Sequence, residues 1–381
     1  MAFSLKSIVG AFSRGNKGGS VIGIDIGTSS IKVVQLRLAK GAAVLETYGE
    51  IALGPYAKIS IGKAVKLPPE KIAEAVNDVI REASVTAKNS GISIPFSSSL
   101  ITVLDLPKVS NEQLKQIVPI EARKYIPIPV SEVALDWFVI PKDDSIKGPF
   151  DDTTKDKIPL QGKGQEVLLV AIHKDIVHSY QQIANACNIT PGFFEIEIFS
   201  AIRSSIGSGL APLLFVDIGA STTKIYVVER GVVRLTHLLT MGGQQMTETL
   251  ARSMSWDFEK AERVKRERGL LDSKSYSLEE NQHIKEALLF TITRIFSEIN
   301  RVLVTFSQRH NKNVAHVYLS GGGASLPGLA DMAKTALSSD VTIADPFGKT
   351  EAPAFMAGVL HGIGPGFAVA IGLAMRVLHG E

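Results

Sequence analysis

The chain has 381 residues, of which 45% are hydrophobic and 21% are charged, and its formal net charge is +3 at pH 7. This length and apolar content can bury a large core, more readily in two domains than in one. We find no basic stripe, which argues against a nucleic-acid partner. Cys187 is the only cysteine, which excludes an internal disulfide framework and a cysteine-based zinc site. A reducing cytoplasm is therefore the expected compartment.

The sequence predicts no membrane span. Residues 1–20 mix apolar and basic side chains without a continuous apolar core or a cleavage site, which excludes a signal peptide. We expect them to form a flexible tail, with a short amphipathic helix on a membrane or a partner as the alternative. The apolar residues 367–373 are too few to cross a bilayer and are soon followed by Arg376.

Strands and helices alternate in the first part of the chain. The Ile- and Val-rich residues 21–26 predict a buried strand that turns into a second strand. Later elements are a strand at 44–51, a helix at 70–87 that begins after two prolines, and a strand at 99–106.

Residues 108–190 have a different character and predict an inserted subdomain. Ser110 and Gln113 form a capping-box pattern, which predicts a helix to about Tyr125. The other predicted elements are strands at 133–140 and 166–172, a solvated loop at 142–164 and a helix at 174–186.

The last part of the chain returns to alternating strands and helices. The predicted elements are a strand at 232–239, a helix from about 244, a charged helical stretch at 251–270, a long amphipathic helix at 279–310, a strand at 315–320 and a short helix at 364–376.

The strand–turn–strand pattern at residues 21–32 occurs again at residues 213–224. Aligned on Asp25 and Asp217, both copies read an apolar run, Asp-Ile-Gly, one residue, Ser, two residues and Lys. A single copy is explained equally well as an ordinary turn, but two copies in register favour a functional interpretation.

The repeated pattern has the chemistry of a phosphate site. A glycine after the carboxylate lets backbone N–H groups approach an anion, hydroxyls add donors, and each lysine adds a cation. Carboxylates suit Mg²⁺, which accompanies phosphates. Two such hairpins facing each other would hold a nucleotide triphosphate from both sides. The candidate residues are Asp25, Gly27, Thr28, Ser29 and Lys32 in the first hairpin, and Asp217, Gly219, Ser221, Thr222 and Lys224 in the second.

Three further patterns follow the second hairpin. Gly321, Gly322 and Gly323 come directly after a predicted strand and permit backbone contact with a flat base or sugar. Glu262 and Lys265 share one helix face, so both can reach one ligand, although a solvated ion pair is the commoner arrangement. Residues 348–350 end like a P-loop, but Ile343 stands where its first glycine would be, and the glycine-rich residues 362–366 do not complete a dinucleotide fingerprint.

Together these motifs resemble the actin-like ATPase superfamily, which implies an α/β fold of two duplicated ribonuclease-H-like lobes. The resemblance implies that ATP and Mg²⁺ bind between the lobes, with Asp25 and Asp217 near the metal. It matches Glu262, Lys265 and Arg266 to a helix that contacts ribose and adenine, and Gly242 and Gly243 to a glycine pair near the phosphates. It also implies that Glu197 positions the attacking water beside Asp217, with Glu195 as second choice and a plain surface glutamate as the alternative.

The inserted segment narrows the resemblance to the branch that contains the FtsA and PilM families. Residues 114–129 and 166–172 are similar to the PilM family, and the absence of a terminal basic amphipathic helix also favours it over FtsA. The implied division of the chain is a tail at 1–20, lobe 1 at 21–107 and 191–210, a small α+β subdomain at 108–190, lobe 2 at 211–362, and a helix at 363–381 that returns to lobe 1.

The PilM resemblance implies a cytoplasmic ATP-binding scaffold, peripheral at the inner face of the inner membrane, with at most slow ATPase activity. Its implied partner is the N-terminal peptide of a PilN-type membrane protein, and membrane association is then indirect. Self-association is a second candidate interaction, and an FtsA-like filament and a small-molecule kinase are the alternative functions. Four residues of the insertion form either the peptide groove or the subdomain core: Tyr125, Ile126, Ile128 and Trp137.

Overall fold

The computed structural model describes residues 19–140, 164–207, 209–337 and 339–380. The predictions for the tail at 1–20 and the loop at 142–164 therefore fall almost wholly outside the described residues. The described strands are β1 (Ser20–Ile26), β2 (Ser30–Ala39), β3 (Ala42–Ala52), β4 (Asn89–Ile94), β5 (Ser99–Leu106), β6 (Val133–Val139), β7 (Gln165–His173), β8 (Thr190–Ile196), β9 (Leu213–Ile218), β10 (Thr223–Glu229), β11 (Val232–Leu239), β12 (His316–Ser320) and β13 (Asp340–Ile343). The described helices are α1 (Pro69–Glu82), α2 (Asn111–Ala122), α3 (Lys174–Ala186), α4 (Glu197–Ser205), α5 (Gly243–Met254), α6 (Phe258–Arg268), α7 (Leu278–His310), α8 (Leu329–Leu337) and α9 (Ala357–His379).

Two five-stranded sheets share one topology. The first has the order β3-β2-β1-β4-β8 and the second the order β11-β10-β9-β12-β13. In each, an antiparallel three-stranded meander is extended by two parallel strands. The sequence repeat therefore reflects a duplicated lobe, and the fold is that of the actin-like ATPases.

The two repeated hairpins are equivalent in register. Asp25 lies opposite Lys32 in the first, and Asp217 lies opposite Lys224 in the second. A backbone hydrogen bond closes each turn, from the N–H of Gly27 in one hairpin and of its counterpart Gly219 in the other, at 3.1 and 2.9 Å. Each turn lies at the end of its first strand and exposes backbone groups at the same edge of the sheet.

The insertion forms a third sheet, with the order β5-β7-β6, in which all pairs are antiparallel. The predicted capping box is confirmed, because Ser110 and Gln113 exchange side-chain and backbone hydrogen bonds at the start of α2. The apolar face of α2 packs on this sheet. The sheet includes β5, which precedes residue 108, where the sequence predicts that the insertion begins.

Several predicted helix boundaries were wrong. The stretch at 251–270 is not continuous, because Ser255 adopts a left-handed conformation (φ 54°) and separates α5 from α6. The helix predicted at 70–87 ends at Glu82, and the short helix predicted at 364–376 is the 23-residue α9. Helix α9 continues through Pro365, although proline lacks the N–H that an interior helical residue donates.

Helix α9 is a core helix, although by length and composition it passes as a membrane span. Among the described residues, one helical stretch has that character, Ala354–His379, with a mean hydropathy of 1.6. Its middle packs so closely on lobe 1 that a Cβ on Gly23 of β1 would lie 1.9 Å from the carbonyl oxygen of Ala370. Only glycine permits this approach, and the apolar face of α9 is thereby buried against β1.

A buried ion cluster fixes the end of α9 to lobe 1. The carboxylate of Glu195, 2% exposed, accepts hydrogen bonds from Arg203 at 2.8 Å and from the fully buried Arg376 at 2.5 Å. Burial alone would raise the pKa of Glu195, but the two guanidinium groups outweigh it and hold the pKa below its usual value.

We expect Glu195→Gln to lower the free energy of unfolding by about 3–5 kcal/mol, because it leaves two buried guanidinium groups without their carboxylate. Since the folded state lowers the pKa of Glu195, its stabilisation is present above the ordinary glutamate pKa of 4.5 and is lost as the pH falls below it. Urea denaturation across that range measures both effects. The control is Glu74→Gln in the half-exposed Lys71–Glu74 pair, where a loss under about 1 kcal/mol is expected. Equal losses in the two variants would contradict a structural role for the cluster.

Candidate functional site

A cavity of about 400 Å³ lies between the two five-stranded sheets. The turns of both hairpins, the N-terminus of α4, helices α5 and α6 and the triple glycine all contribute to its wall. Of the residues that the sequence singled out for the nucleotide site, all but Gly242 and the second-choice Glu195 line it: Asp25, Gly27, Thr28, Ser29, Lys32, Glu197, Asp217, Gly219, Ser221, Thr222, Lys224, Gly243, Glu262, Lys265, Arg266, Gly321, Gly322 and Gly323.

Gly242 supports the second hairpin from behind. A Cβ on Gly242 would lie 2.4 Å from the carbonyl oxygen of Gly219, so only glycine fits there. The next residue, Gly243, donates its N–H to the same carbonyl at 2.9 Å. The glycine pair thus fixes the second turn against the start of α5.

Lys224 lies at the centre of a buried charge cluster. Its ammonium donates to the carboxylates of Glu197 at 2.6 Å and of Asp217 at 2.9 Å. The second oxygen of Glu197 accepts the backbone N–H of Phe96 at 2.7 Å. Burial alone would lower the pKa of Lys224, but the two carboxylates outweigh it and keep the pKa above its usual range.

Asp25 is the counterpart of Asp217 and has different surroundings. Its Oδ1 accepts a hydrogen bond from the hydroxyl of Ser93 at 2.9 Å, and Ser93 also accepts the N–H of Ile26 at 3.0 Å. Burial first, and then the negative charge of Glu197, raise the pKa of Asp25 to about 6.

The lysine of the first hairpin forms its ion pair outside the charge cluster around Lys224. Lys32 donates to the hydroxyl of Ser30 at 2.7 Å and pairs with Glu50 of β3 at 3.0 Å. Glu50 was missed from the sequence, because it lies in a separate strand and follows no motif. The two turns themselves meet, since the hydroxyls of Thr28 and Ser221 are 3.2 Å apart.

A second ion cluster lines the opposite wall of the cavity, on α5 and α6. Glu262 accepts hydrogen bonds from Lys265 at 2.6 Å, from Thr247 at 2.5 Å and from Arg266 at 2.5 Å. Lys265 also donates to the carbonyl of Gly243 at 3.0 Å. The ion pair expected from the helical spacing is present, but Glu262 and Lys265 are buried, and only Arg266 of the three is exposed.

Helix α9 supplies a part of the wall that the sequence motifs did not indicate. Gly362 and Gly366 line the cavity, and a Cβ on Gly366 would lie 3.4 Å from the side chain of Lys32. Gly366 thus allows a close approach of the helix to the first hairpin, whereas a Cβ on Gly362 would contact nothing within 4 Å. The P-loop-like Lys349 does lie outside, as the sequence indicated, and donates to two backbone carbonyls of lobe 1.

The two candidate catalytic glutamates face in opposite directions. Glu197, the first residue of α4, lines the cavity, whereas Glu195 belongs to the buried ion cluster beneath α9. Their spacing of two residues spans the end of β8, where the chain turns from strand to helix. Glu195 is therefore a structural residue.

A short strap, residues 60–65, crosses from lobe 1 to lobe 2 at the edge of the cavity. The N–H of Ala64 donates to the side chain of Gln244 at 2.7 Å, and the N–H of Val65 donates to the carbonyl of Thr28 at 2.9 Å. Gly62, with φ +94°, lies against the Glu262 carboxylate, where a Cβ would be 2.8 Å away. The strap thus connects the first hairpin to the cluster on α6.

The donor set fits a divalent cation shared with phosphates better than a metal held by protein alone. Among the described residues, no group of three His, Cys, Asp or Glu side chains converges to hold an ion. The oxygen ligands that face the cavity are carboxylates and hydroxyls, which Mg²⁺ prefers and usually complements with phosphate oxygens and water.

Comparison with known proteins identifies the family. A family model described as type IV pilus assembly protein PilM matches residues 23–378. The chain belongs to this family. Among solved structures, it is similar to the PilM-PilN type IV pilus biogenesis complex, with a TM-score of 0.76 and 22% identity, covering 94% of this chain and 98% of that one.

Two further proteins are similar to the chain over most of its length. The cell division protein FtsA of Bacillus subtilis is 23% identical over 374 residues, covering 89% of this chain and 81% of the relative. The ethanolamine utilization protein EutJ from Carboxydothermus hydrogenoformans has a TM-score of 0.52 at 16% identity, covering 94% and 89%. The chain is thus a type IV pilus assembly protein of the PilM family with an actin-like fold.

We expect Gly62→Ala to destabilise the protein more than Gly231→Ala. Both glycines have positive φ, +94° and +74°, but a Cβ on Gly231 would contact nothing within 4 Å. Gly62→Ala adds an overlap with Glu262, which three hydrogen bonds hold in place, and should cost about 1–3 kcal/mol more. Denaturation of the two variants without ligand measures the difference in their free energies of unfolding. Equal destabilisation would show that Gly62 is not in tight contact with Glu262.

Proposed function

We propose that this PilM-family chain binds ATP with Mg²⁺ in the cavity between the lobes and acts as a scaffold of the type IV pilus machinery. One observation carries the proposal: both hairpins, the Glu262–Lys265 cluster and the triple glycine line the same cavity. Each of these motifs suits a different part of a nucleotide. The packing of the lobes does not by itself require them to line one cavity.

Each part of the wall has a role in this proposal. The turns of both hairpins present N–H and hydroxyl groups to the phosphates, and their carboxylates face Mg²⁺. Glu262, through lone pairs that its three hydrogen bonds leave free, would hold the ribose, and Gly321–Gly323 would hold the base. A nucleotide bound between the lobes would stabilise the folded protein by mass action.

Hydrolysis is expected to be slow or negligible. Both oxygens of Glu197 already accept hydrogen bonds, from Lys224 at 2.6 Å and from the N–H of Phe96 at 2.7 Å. These contacts fix the carboxylate and occupy one lone pair on each oxygen, so only the remaining lone pairs could position a water, and positioning supplies much of the catalysis in phosphoryl transfer.

Asp25→Ala and Asp217→Ala should each weaken Mg-ATP binding by roughly tenfold or more. Each variant removes one carboxylate from the set of carboxylates and lysines that would balance the charges of Mg²⁺ and the phosphates. Isothermal titration calorimetry measures the affinities, with Glu46→Ala, remote from the cavity, as the control. Unchanged affinity in both aspartate variants would refute nucleotide binding between the hairpins.

Phosphate release from ATP should be slow in the wild type and should depend on Glu197. The measurement is a single-turnover assay of the wild type and Glu197→Gln, together with the melting temperature in the presence of ATP. ATP should raise the melting temperature of both proteins. Fast turnover that survives Glu197→Gln would instead favour a kinase.

The partner side of the proposal rests on the inserted subdomain. Strand β6 is an edge of the antiparallel sheet β5-β7-β6, so its backbone groups suit an added extended peptide. Ile126 is buried in the subdomain core, and Ile128 and Trp137 are partly buried against it, whereas Tyr125 is 47% exposed. Of the four residues that could belong to a peptide groove or to the subdomain core, Tyr125 therefore suits a peptide anchor best.

The proposed peptide is the N-terminal segment of a PilN-type inner-membrane protein. This partner would place the chain in the cytoplasm, attached to the membrane only through the partner.

We expect Tyr125→Ala to weaken binding of that peptide by at least tenfold while ATP binding remains intact, as for an aromatic anchor in an interface. Fluorescence anisotropy with a labelled peptide measures the affinity. Phe355→Ala removes another exposed aromatic, 87% exposed and far from the subdomain in sequence, and should leave the peptide affinity unchanged. Full peptide binding by Tyr125→Ala would place the partner site elsewhere.

A further inference from the structure

The two hairpins contain the same Asp–Lys pair and use it differently. In each hairpin the two side chains lie on directly opposed residues, Asp25 with Lys32 and Asp217 with Lys224. Such pairs are expected to form cross-strand ion pairs. Only the second hairpin does so among the described residues, where Lys224 and Asp217 are 2.9 Å apart.

In the second hairpin the carboxylate oxygens that face the cavity are already bound to a cation. Lys224 is 2.6 Å from Oε2 of Glu197 and 2.9 Å from Oδ2 of Asp217, and all three side chains are no more than 12% exposed. The other side of Asp217 lies against backbone, since a Cβ on Gly321 would be 2.2 Å from its Oδ1. A metal ion at these oxygens would compete with charge-assisted hydrogen bonds and would have to approach an ammonium.

The first hairpin leaves its aspartate without a cation partner in the described part of the chain. Lys32 is held by Glu50 at 3.0 Å and by Ser30 at 2.7 Å. Asp25 accepts a neutral hydrogen bond from Ser93, to its Oδ1. Its carboxylate therefore faces the cavity with charge that the protein does not neutralise by an ion pair.

We propose that Lys224 is a built-in counter-ion for Asp217 and Glu197, so that the Mg²⁺ accompanying the nucleotide depends on Asp25 alone. This inference rests on the proposed nucleotide binding and narrows it, because the duplicated aspartates then have different roles. Asp25 is the metal-facing carboxylate, and Asp217 holds Lys224 in place.

The test is the gain in affinity that Mg²⁺ gives to a non-hydrolysable ATP analogue, measured by calorimetry with Mg²⁺ and with EDTA. We call the ratio of the two affinities the magnesium enhancement. It should be on the order of tenfold or more in the wild type and should fall to within about twofold of unity in Asp25→Asn. In Asp217→Asn it should stay within about threefold of the wild-type value.

Lys224→Met provides the converse measurement. It releases two carboxylates for the metal and leaves them repelling phosphate, so binding without Mg²⁺ should weaken and the enhancement should rise by about tenfold. Lys32→Met is the matched control, because it removes the equivalent lysine of the other hairpin. Its affinity should fall by a similar factor with and without Mg²⁺, and its enhancement should not change.

Two further measurements keep the result interpretable. Circular dichroism and the melting temperature report whether each variant folds, and the double variant Lys224→Met/Glu197→Gln lowers the unpaired charge if Lys224→Met alone does not fold. That double variant should also show a raised enhancement, since Asp217 is freed. An unchanged or raised enhancement in Asp25→Asn, an equal loss in Asp25→Asn and Asp217→Asn, or no enhancement in the wild type would overturn the inference. If the wild type binds the analogue under neither condition, the proposed function itself fails.

Discussion

The acidic and basic side chains in the cleft between the lobes must neutralise one another, and this requirement determines how the site is built. Duplication of a hairpin that contains an aspartate and a lysine brings the charged side chains of both copies to one cavity, together with Glu197 of α4. A buried carboxylate must either pair with a cation or have a raised pKa. Asp217 and Glu197 pair with Lys224. Asp25 has no such partner among the described residues, and its pKa rises to about 6. The proposed ligand, which carries both phosphates and a divalent cation, would change this charge balance at Asp25 of the first hairpin.

The cleft keeps its shape because α9 is packed tightly behind it. Glycines at two positions allow backbone contact: Gly23 against Ala370, and Gly372 against the carbonyl of Ser200 in α4. The buried pair of Arg376 with Glu195 then fixes the helix along its axis. Because α4 begins at the cavity, the same packing that closes the core of lobe 1 also sets the position of the helix N-terminus there.

The sequence predicted the parts of this structure that depend on local pattern. The hairpin repeat and the capping box at Ser110 follow from motifs and periodicity, and the motifs together with the family resemblance named about half of the residues that line the cavity. What it could not predict depends on contacts between distant segments. Glu50 and the strap at 60–65 have no motif, and their place at the cavity follows from sheet order. The close packing of α9 at Gly366 likewise appears only once the helix lies against the hairpins, and periodicity could not extend α9 through Pro365 without that partner.

The inserted subdomain is joined to the charge cluster by short, direct contacts. The N–H that fixes the second oxygen of Glu197 belongs to Phe96, which lies just before β5, the first strand of the subdomain sheet. The central strand of that sheet is tied to lobe 2, because Glu166 of β7 accepts a hydrogen bond from Arg234 of β11 at 2.6 Å. A partner that binds the subdomain, as proposed above, would therefore bind a part of the molecule that contacts both the charge cluster, at Glu197, and lobe 2, at Arg234.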